Sequence, residues 1–321
     1  MTSAALPAEL AAALARKSHG LSLGDAAARA AAMSKTYRGG GGSTAIRSEA
    51  DALAYALARM PATYAAVMAC LDALAAQRPD FTPRGLLDCG AGPGTASWAA
   101  AERLETLRSF ALLDANAALR ALAIDLMQGS ARLTAASYTQ GDALTLLAKA
   151  EPADLVIASY MINELSDQQR DAFADLAWGK TTDTLLIVEP GTPTGHARVL
   201  ALRSRLIAQG ARVVAPCPHD GGCPLTAPDW CHFTQRLPRS RAHQHLKGAE
   251  LAYEDEKFSY VALTRAALQP RPSRVLAQPL TTKIAVTAKL CTAAGLDIAV
   301  APRRNKPDYA RFKKLDWGNT V

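Results

Sequence analysis

Asp88-Cys89-Gly90-Ala91-Gly92-Pro93-Gly94 follows the apolar run Gly85-Leu86-Leu87 and precedes Thr95-Ala96-Ser97-Trp98. An apolar run, an acid, three alternating glycines and a helix-forming stretch read as strand, tight loop and helix. Glycine turns without steric cost and lets backbone approach a ligand closely. The helix that follows points its N-terminus at whatever is bound. The segment therefore reads as a nucleotide cradle at the end of the first strand of a parallel sheet.

The rhythm continues outward from there. Thr95–Leu107 is predicted as a helix, Ser109–Asp114 as a second strand and Ala117–Gln128 as its helix. Ser137–Gly141 reads as a third strand and Asp154–Ser159 as a fourth. Asp167–Trp178 is a helix, Thr184–Glu189 a fifth strand and His196–Ala208 a helix. Short apolar strands alternating with helices imply an α/β, doubly wound, Rossmann-like sheet. Upstream, the Ala-rich runs Ala5–Arg16 and Leu53–Leu74 predict helices, with breaks at Ser18-His19-Gly20 and Gly39-Gly40-Gly41-Gly42. Pro61 is expected to restart a helix within Ala54–Ala75. Residues 211–250 are rich in Pro, Gly, Cys and His and read as an irregular insert. Lys257–Arg265 resumes as a strand. Arg274–Leu280, Lys283–Leu290 and Leu296–Val300 suggest a small β subdomain, and a basic tail follows. The expected division is 1–80 N-terminal helical region, 81–210 Rossmann-like domain, 211–256 Cys-rich insert, and 257–321 final strands, β subdomain and tail.

The loop is G-x-G-x-G, preceded by an acid and without the lysine of a phosphate-binding loop. That variant fits S-adenosylmethionine (SAM) better than a dinucleotide, because Asp88 can meet the amino group of the ligand. Asp114 ends the second strand and is placed to accept ribose hydroxyls, as acids do in other doubly wound sites. Asp142 follows the third strand and is placed for an adenine amino group. The fourth strand runs into Ser159-Tyr160-Met161-Ile162-Asn163-Glu164-Leu165, at the edge where substrates sit. Asn163 and Glu164 are candidates to line the pocket, Glu164 equally to cap the next helix. The Asn/Asp-Pro-Pro-aromatic signature of many amino-methylating enzymes is not there. No catalytic residue is assigned.

The 321 residues carry a formal net charge of +7. Residues 196–321 hold 20 Lys/Arg against 9 Asp/Glu, whereas residues 1–195 hold 16 against 20. A basic half joined to an acidic half suggests a polyanion met by one face. No apolar run reaches the ~18 residues that a membrane span needs. Met1–Leu14 has a Glu but no Lys or Arg, unlike a signal or transit peptide. A cytoplasmic, monomeric protein with no membrane association is expected.

Three of the six cysteines lie in Cys217-Pro-His-Asp-Gly-Gly-Cys223 and the following Pro228-Asp229-Trp230-Cys231-His232. Cys70 and Cys89 sit in apolar runs and read as core. Cys217, Cys223 and Cys231 are spaced C-x5-C-x7-C, and Cys291 follows after 59 intervening residues. Close pairs of zinc-ribbon type, C-x2–4-C, are missing. Four thiolates suit a [4Fe–4S] cluster or a structural zinc. The alternative is four unliganded thiols, against which the polar segment argues. His219 and His232 each neighbour a cysteine and are expected behind the ligands or facing RNA. After Cys231 come Arg236, Arg239, Arg241 and Lys247, candidate RNA contacts, since arginine pairs with phosphate and stacks on bases. The acids of Glu254-Asp255-Glu256 are expected to neutralise arginines nearby.

A resemblance gathers these pieces. Arg59-Met60-Pro61-Ala62-Thr63-Tyr64, Asp88–Gly94, Asn163-Glu164-Leu165 and Glu189-Pro190-Gly191-Thr192 occur in order, followed by Pro216-Cys217-Pro218-His219, Trp230-Cys231-His232-Phe233 and Glu254-Asp255-Glu256-Lys257-Phe258-Ser259-Tyr260. The chain resembles a bacterial member of the methyltransferase-like family associated with the mitochondrial small ribosomal subunit. The resemblance implies a methyltransferase domain of SAM-dependent type, an iron–sulfur cluster on Cys217, Cys223, Cys231 and Cys291, and work on the small subunit. It places Asp88, Gly90, Gly92 and Asp114 around SAM; Ala91, Gly94, Asp142 and Asn163 complete the expected cofactor set. Two functions are expected to compete: a methyltransferase of small-subunit rRNA, and a non-catalytic assembly factor using the cluster as scaffold or redox sensor. A zinc-stabilised small-molecule methyltransferase is a third.

Overall fold

Alternate side chains of each central strand enter opposite cores, and this pleat organises the molecule. In the computed structural model, which describes residues 5–321, Leu86, Leu112, Leu155, Ile157 and Leu186 face one core, while Leu87, Leu113, Val156, Leu185 and Ile187 face the other. Residues 1–4, the start of the stretch read as carrying no leader, lie outside the described residues.

Three helices open the chain: α1 (Ala8–Lys17), α2 (Leu23–Arg38) and α3 (Glu49–Gln77). The expected breaks at Ser18 and at the tetraglycine are where α1 and α2 end. Pro61 does not restart a helix; it lies inside α3, which is continuous. Ser48 and Asp51 form a capping box at its start, at 3.1 and 3.2 Å. Sixteen buried residues hold it against the sheet and its neighbours, so tertiary packing outweighs one lost backbone bond.

The alternating unit then runs β1 (Gly85–Cys89), α4 (Thr95–Arg103), β2 (Ser109–Asp114), α5 (Ala117–Met127), β3 (Ser137–Gln140), α6 (Ala143–Lys149), β4 (Ala153–Ser159), α7 (Asp167–Lys180), β5 (Thr181–Pro190) and α8 (Pro193–Ala208). Residues 211–250 are not irregular as expected. They contain β6 (Arg212–Ala215), β7 (Phe233–Pro238) and α9 (Arg241–Lys247), and the one long stretch without helix or strand is 216–232. Then come β8 (Tyr253–Thr264), β9 (Arg274–Val275), β10 (Leu280–Thr281), β11 (Ala285–Thr292), β12 (Gly295–Pro302) and α10 (Lys306–Phe312).

The main sheet has the order β3-β2-β1-β4-β5-β8-β6, with β7 on β8. Strands β1 to β5 are parallel, and β8 is antiparallel to β5, β6 and β7. Strand order reverses between β1 and β4, so the crevice for a ligand opens at their carboxyl ends. Helices α3, α4 and α5 cover one face, and α7 and α8 the other. This is a Rossmann-like α/β fold with a helical N-terminal region. Strands β9 to β12 form a separate four-stranded antiparallel sheet around Val275, Val286, Leu290 and Phe312. Among the described residues no helix is long and apolar enough to cross a membrane.

Candidate functional site

Three glycines in the left-handed region shape the turn after β1: Gly90 at φ +67°, Gly92 at +54° and Gly94 at +79°. A Cβ on Gly90 would stand 2.6 Å from that of Met161, so β4's exit and the loop are in close contact. At Gly92 a Cβ would meet only Leu119 at 3.9 Å, and the loop presents open backbone there. The N–H groups of Gly90 and Ala91 are both used, donating to Leu113 O.

The two acids expected around the loop anchor it from below. Asp88 is fully buried; its Oδ2 accepts the Ser97 N–H at 3.1 Å and the Ser97 hydroxyl at 2.7 Å, while its Oδ1 is buried without a partner. Burial pushes its carboxyl up to about 7, and Ser97 pulls it down. Asp114 accepts the Gly92 N–H at 2.8 Å and the Asn116 N–H at 2.7 Å, with burial again raising its pKa. The Tyr138 hydroxyl donates to Gly92 O at 2.7 Å. Asp142 is exposed and serves as N-cap of α6, accepting the Thr145 N–H and hydroxyl, both at 2.9 Å.

Asn163 lies in a short 3-10 turn after β4, its Oδ1 buried without a partner. Glu164 does not cap α7, whose capping box is Ser166 with Gln169. It accepts the Ser43 N–H and hydroxyl at 2.9 and 3.0 Å, and Asn116 Nδ2 donates to Ser43 O and Ile46 O. Residues 43–46 are thereby tied across the ends of the strands.

A cavity of about 870 Å³ opens beside this turn, at the carboxyl ends of β4 and β5 and under α2, α3 and α9. Tyr37, Tyr55, Arg59, Tyr160, Asn163 and Arg198 are among its walls. Tyr160 is the one non-glycine residue at positive φ (56°) among those described. Its hydroxyl donates to Glu256 Oε1 at 2.9 Å, and Arg59 grips the same carboxylate at 2.9 and 3.3 Å. Sequence reasoning missed Tyr160, Arg59 and Ser43. The signal was available only in the Glu254–Glu256 run, since acids in a basic half need partners. Glu189, at the end of β5, is also fully buried, and burial pushes its carboxyl up to about 8. Arg198, 3.9 Å away, and the Ile162 and Asn163 N–H groups oppose that, yet neither oxygen has a partner at hydrogen-bond geometry.

The expected RNA contacts divide. Arg239 and Lys247 face the cavity and share Glu254, at 2.7 Å each. Arg236 is 63% exposed, paired with Asp255 at 2.8 Å and stacked 4.1 Å over the Tyr253 ring. Arg241 is exposed at the start of α9.

The second centre is on the far side of β8. Cys217, Cys223, Cys231 and Cys291 line one cavity of about 30 Å³, three from the irregular segment and one from β11. Burial raises the pKa of Cys217, Cys231 and Cys291, the last to about 12. The thiols ring a space rather than converge on a point: among the described residues no His, Cys, Asp or Glu group is arranged to hold a single ion. Arg203 and Arg274 form part of the wall. His219 Nε2 lies 3.6 Å from Cys291 Sγ, while His232 is packed between Trp230 and Trp317. Cys70 and Cys89 are core.

Residues 49–321 match the family described as "Mitochondrial small ribosomal subunit Rsm22". The human ribosome assembly protein METTL17, mitochondrial, is 29% identical over 294 residues, covering 85% of this chain and 63% of that protein. The Rsm22-cox11 tandem protein 2, mitochondrial, of Schizosaccharomyces pombe is 26% identical over 256 residues, 71% of this chain and 34% of that one. The chain thus spans less than two thirds of the curated relatives it matches. Solved structures with partial likeness include magnesium protoporphyrin IX methyltransferase from Synechocystis with bound SAM (13% identity, TM-score 0.41, 64% of this chain and 80% of that one). Another is precorrin-6y C5,15-methyltransferase from Geobacter metallireducens (12%, 0.41, 61% and 85%).

Proposed function

The chain belongs to the Rsm22 family of the mitochondrial small ribosomal subunit, and from that premise we propose that it is a SAM-binding, iron–sulfur protein that assembles the small ribosomal subunit by contacting its rRNA. It works as a monomer where small subunits are made, in a bacterial cell the cytoplasm. The observation that carries this reading is the meeting of four cysteines, far apart in sequence, around one cavity walled by buried arginines. Cys217, Cys223, Cys231 and Cys291 would hold the cluster. It would join the irregular segment to the β9–β12 sheet and keep β7 and α9, with Arg236 and Arg241, in place against RNA.

SAM fits the open loop at the switch point. Gly90, Ala91, Gly92 and Gly94 would lie along it, with Asp88 and Asp114 fixing the loop from beneath. Asp114 retains lone pairs for ribose hydroxyls, the unpartnered Asp88 Oδ1 suits a cationic neighbour, and Asn163 borders the pocket. Asp142 would reach the adenine edge through the oxygen that Thr145 leaves free. Bound SAM supplies an electrophilic methyl group. The assembly reading comes first because the cations facing the cavity, Arg59, Arg239 and Lys247, are paired with Glu256 and Glu254. The methyltransferase reading is the second, favoured by the 870 Å³ cavity beside Asn163.

The test is to titrate the anaerobically purified chain with SAM by calorimetry, then to incubate it with immature small subunits and methyl-labelled SAM. Subunit binding that weakens steeply with salt, without label in the RNA, supports the assembly reading. Label in rRNA moves the conclusion to methyl transfer, and subunit binding that salt does not weaken defeats the RNA contact.

A further inference from the structure

Two guanidinium groups are buried against the four-thiol cavity, and neither is ion-paired with a carboxylate among the described residues, although Asp220 lies near enough to Arg203 to feel its charge. Arg203, on α8, is 3% exposed, and Arg274, on β9, is 6% exposed. Among the described residues no acid lies within ion-pair distance of either; Asp220 nearby is taken by Arg271, at 2.7 Å. Their hydrogen bonds go to neutral carbonyls. One Arg203 terminal nitrogen donates to His219 O at 2.9 Å and to Gly221 O at 2.8 Å. Arg274 donates to Pro216 O at 3.2 Å and Gly318 O at 2.7 Å, and it stands opposite Cys291 in the β9–β11 register. The Nε of Arg203 is buried with no acceptor.

Unpaired buried cations are costly, so this arrangement needs an anion. Four thiolates on a metal centre provide it, since ligating thiols are deprotonated and the assembly carries net negative charge. Arg203 is also the clasp of the loop between Cys217 and Cys223, through the two carbonyls it binds.

We propose that Arg203 is a positioning residue for a tetrathiolate iron–sulfur centre. It clasps the Cys217–Cys223 loop, and its free Nε–H donates to the sulfur shell. A fixed donor and positive charge beside the sulfurs stabilise the more negative, reduced state and so raise the reduction potential. The inference rests on the iron–sulfur reading above. Arg274 adds charge from the opposite wall.

The experiment compares the full chain with Arg203→Gln and Arg203→Lys, all purified anaerobically, by iron and sulfide content and by mediated potentiometry. Wild type is expected to hold about four irons, as for a [4Fe–4S] cluster ligated by four cysteines. Arg203→Gln is expected to shift to lower potential, with Arg203→Lys, which keeps the charge but loses the fixed fork, in between. An iron-loaded Arg203→Gln with the wild-type potential overturns the inference. If Arg203→Gln holds no iron, Arg203→Lys decides, and an unchanged potential there overturns it equally. Wild type without iron defeats the cluster reading itself, which is a different failure.

Discussion

Asp88 has no exposure and one unpartnered oxygen, so it ionises late. Its carboxyl sits near 7 in the folded chain against about 4 when unfolded. Stability from the protonated form is complete below pH 4 and is lost as pH rises to about 7. Glu189, held at about 8, acts in the same sense over a slightly higher window. His196, His219, His232 and His243 are lowered by burial and act oppositely, favouring folding as pH rises through about 6.5. The useful readout is therefore a difference. Asp88→Asn is expected to gain on wild type by about 2 kcal/mol between pH 5 and pH 7, then to hold level, in denaturant unfolding at each pH. A difference that ignores pH would mean that Asp88 is ionised in the fold. The sequence placed Asp88 and Asp114 beside the loop and gave their oxygens to the ligand. It did not show that their oxygens are taken up within the fold, Asp88 by Ser97 of α4 and Asp114 by Gly92 and Asn116, because these donors come into place only once α4 and α5 are wound.

Helix α6 has seven residues, too short for periodicity to reveal, and its start depends on one side chain. Asp142→Ala is expected to destabilise the fold by about 1 kcal/mol, and Asp142→Ser to restore most of it, as denaturant midpoints would show. Equal midpoints for the two variants would remove the cap from the account. Elements with local causes were legible: β2 has the predicted bounds and β1 starts with the apolar run at Gly85, since apolar pairs on both faces and flanking breakers define them. Strands β6 and β7 were not, because both pair with β8, which comes later in the chain. Their Pro, Gly and Cys neighbours pointed to irregular structure, and pairing with distant residues overrode that. Pro61 misled for a similar reason, since the packing that keeps α3 straight through it is tertiary.

At the scale of the whole molecule the proposed cluster would be a tie between two sheets. Joining Cys231 to Cys291 closes about 60 residues, a loop whose length-dependent closure term is roughly 3.6 kcal/mol. If the proposed cluster is there, removing it with a chelator is expected to expose amides of 216–232 and β9–β12 to hydrogen exchange while β1, β2 and β4 stay protected. Uniform loss of protection would show that the chain unfolds as one unit. The site was legible as four cysteines of one set; the arginines on its wall were not, because Arg203 and Arg274 stand in helix and strand far from the cysteine run. The placement of β8 has a consequence for how the protein is made. It fills the sheet between β5 and β6 although both precede it. During synthesis the edge of β5 stays bare from residue 190 until residue 264 has emerged, several seconds at about 5–20 residues per second. A chain stopped at residue 250 is expected to sediment at concentrations where one stopped at 270 remains in solution. Until β8 arrives, a nascent chain depends on the exit tunnel or a chaperone to shield that edge, and late pauses in translation would be more harmful than early ones.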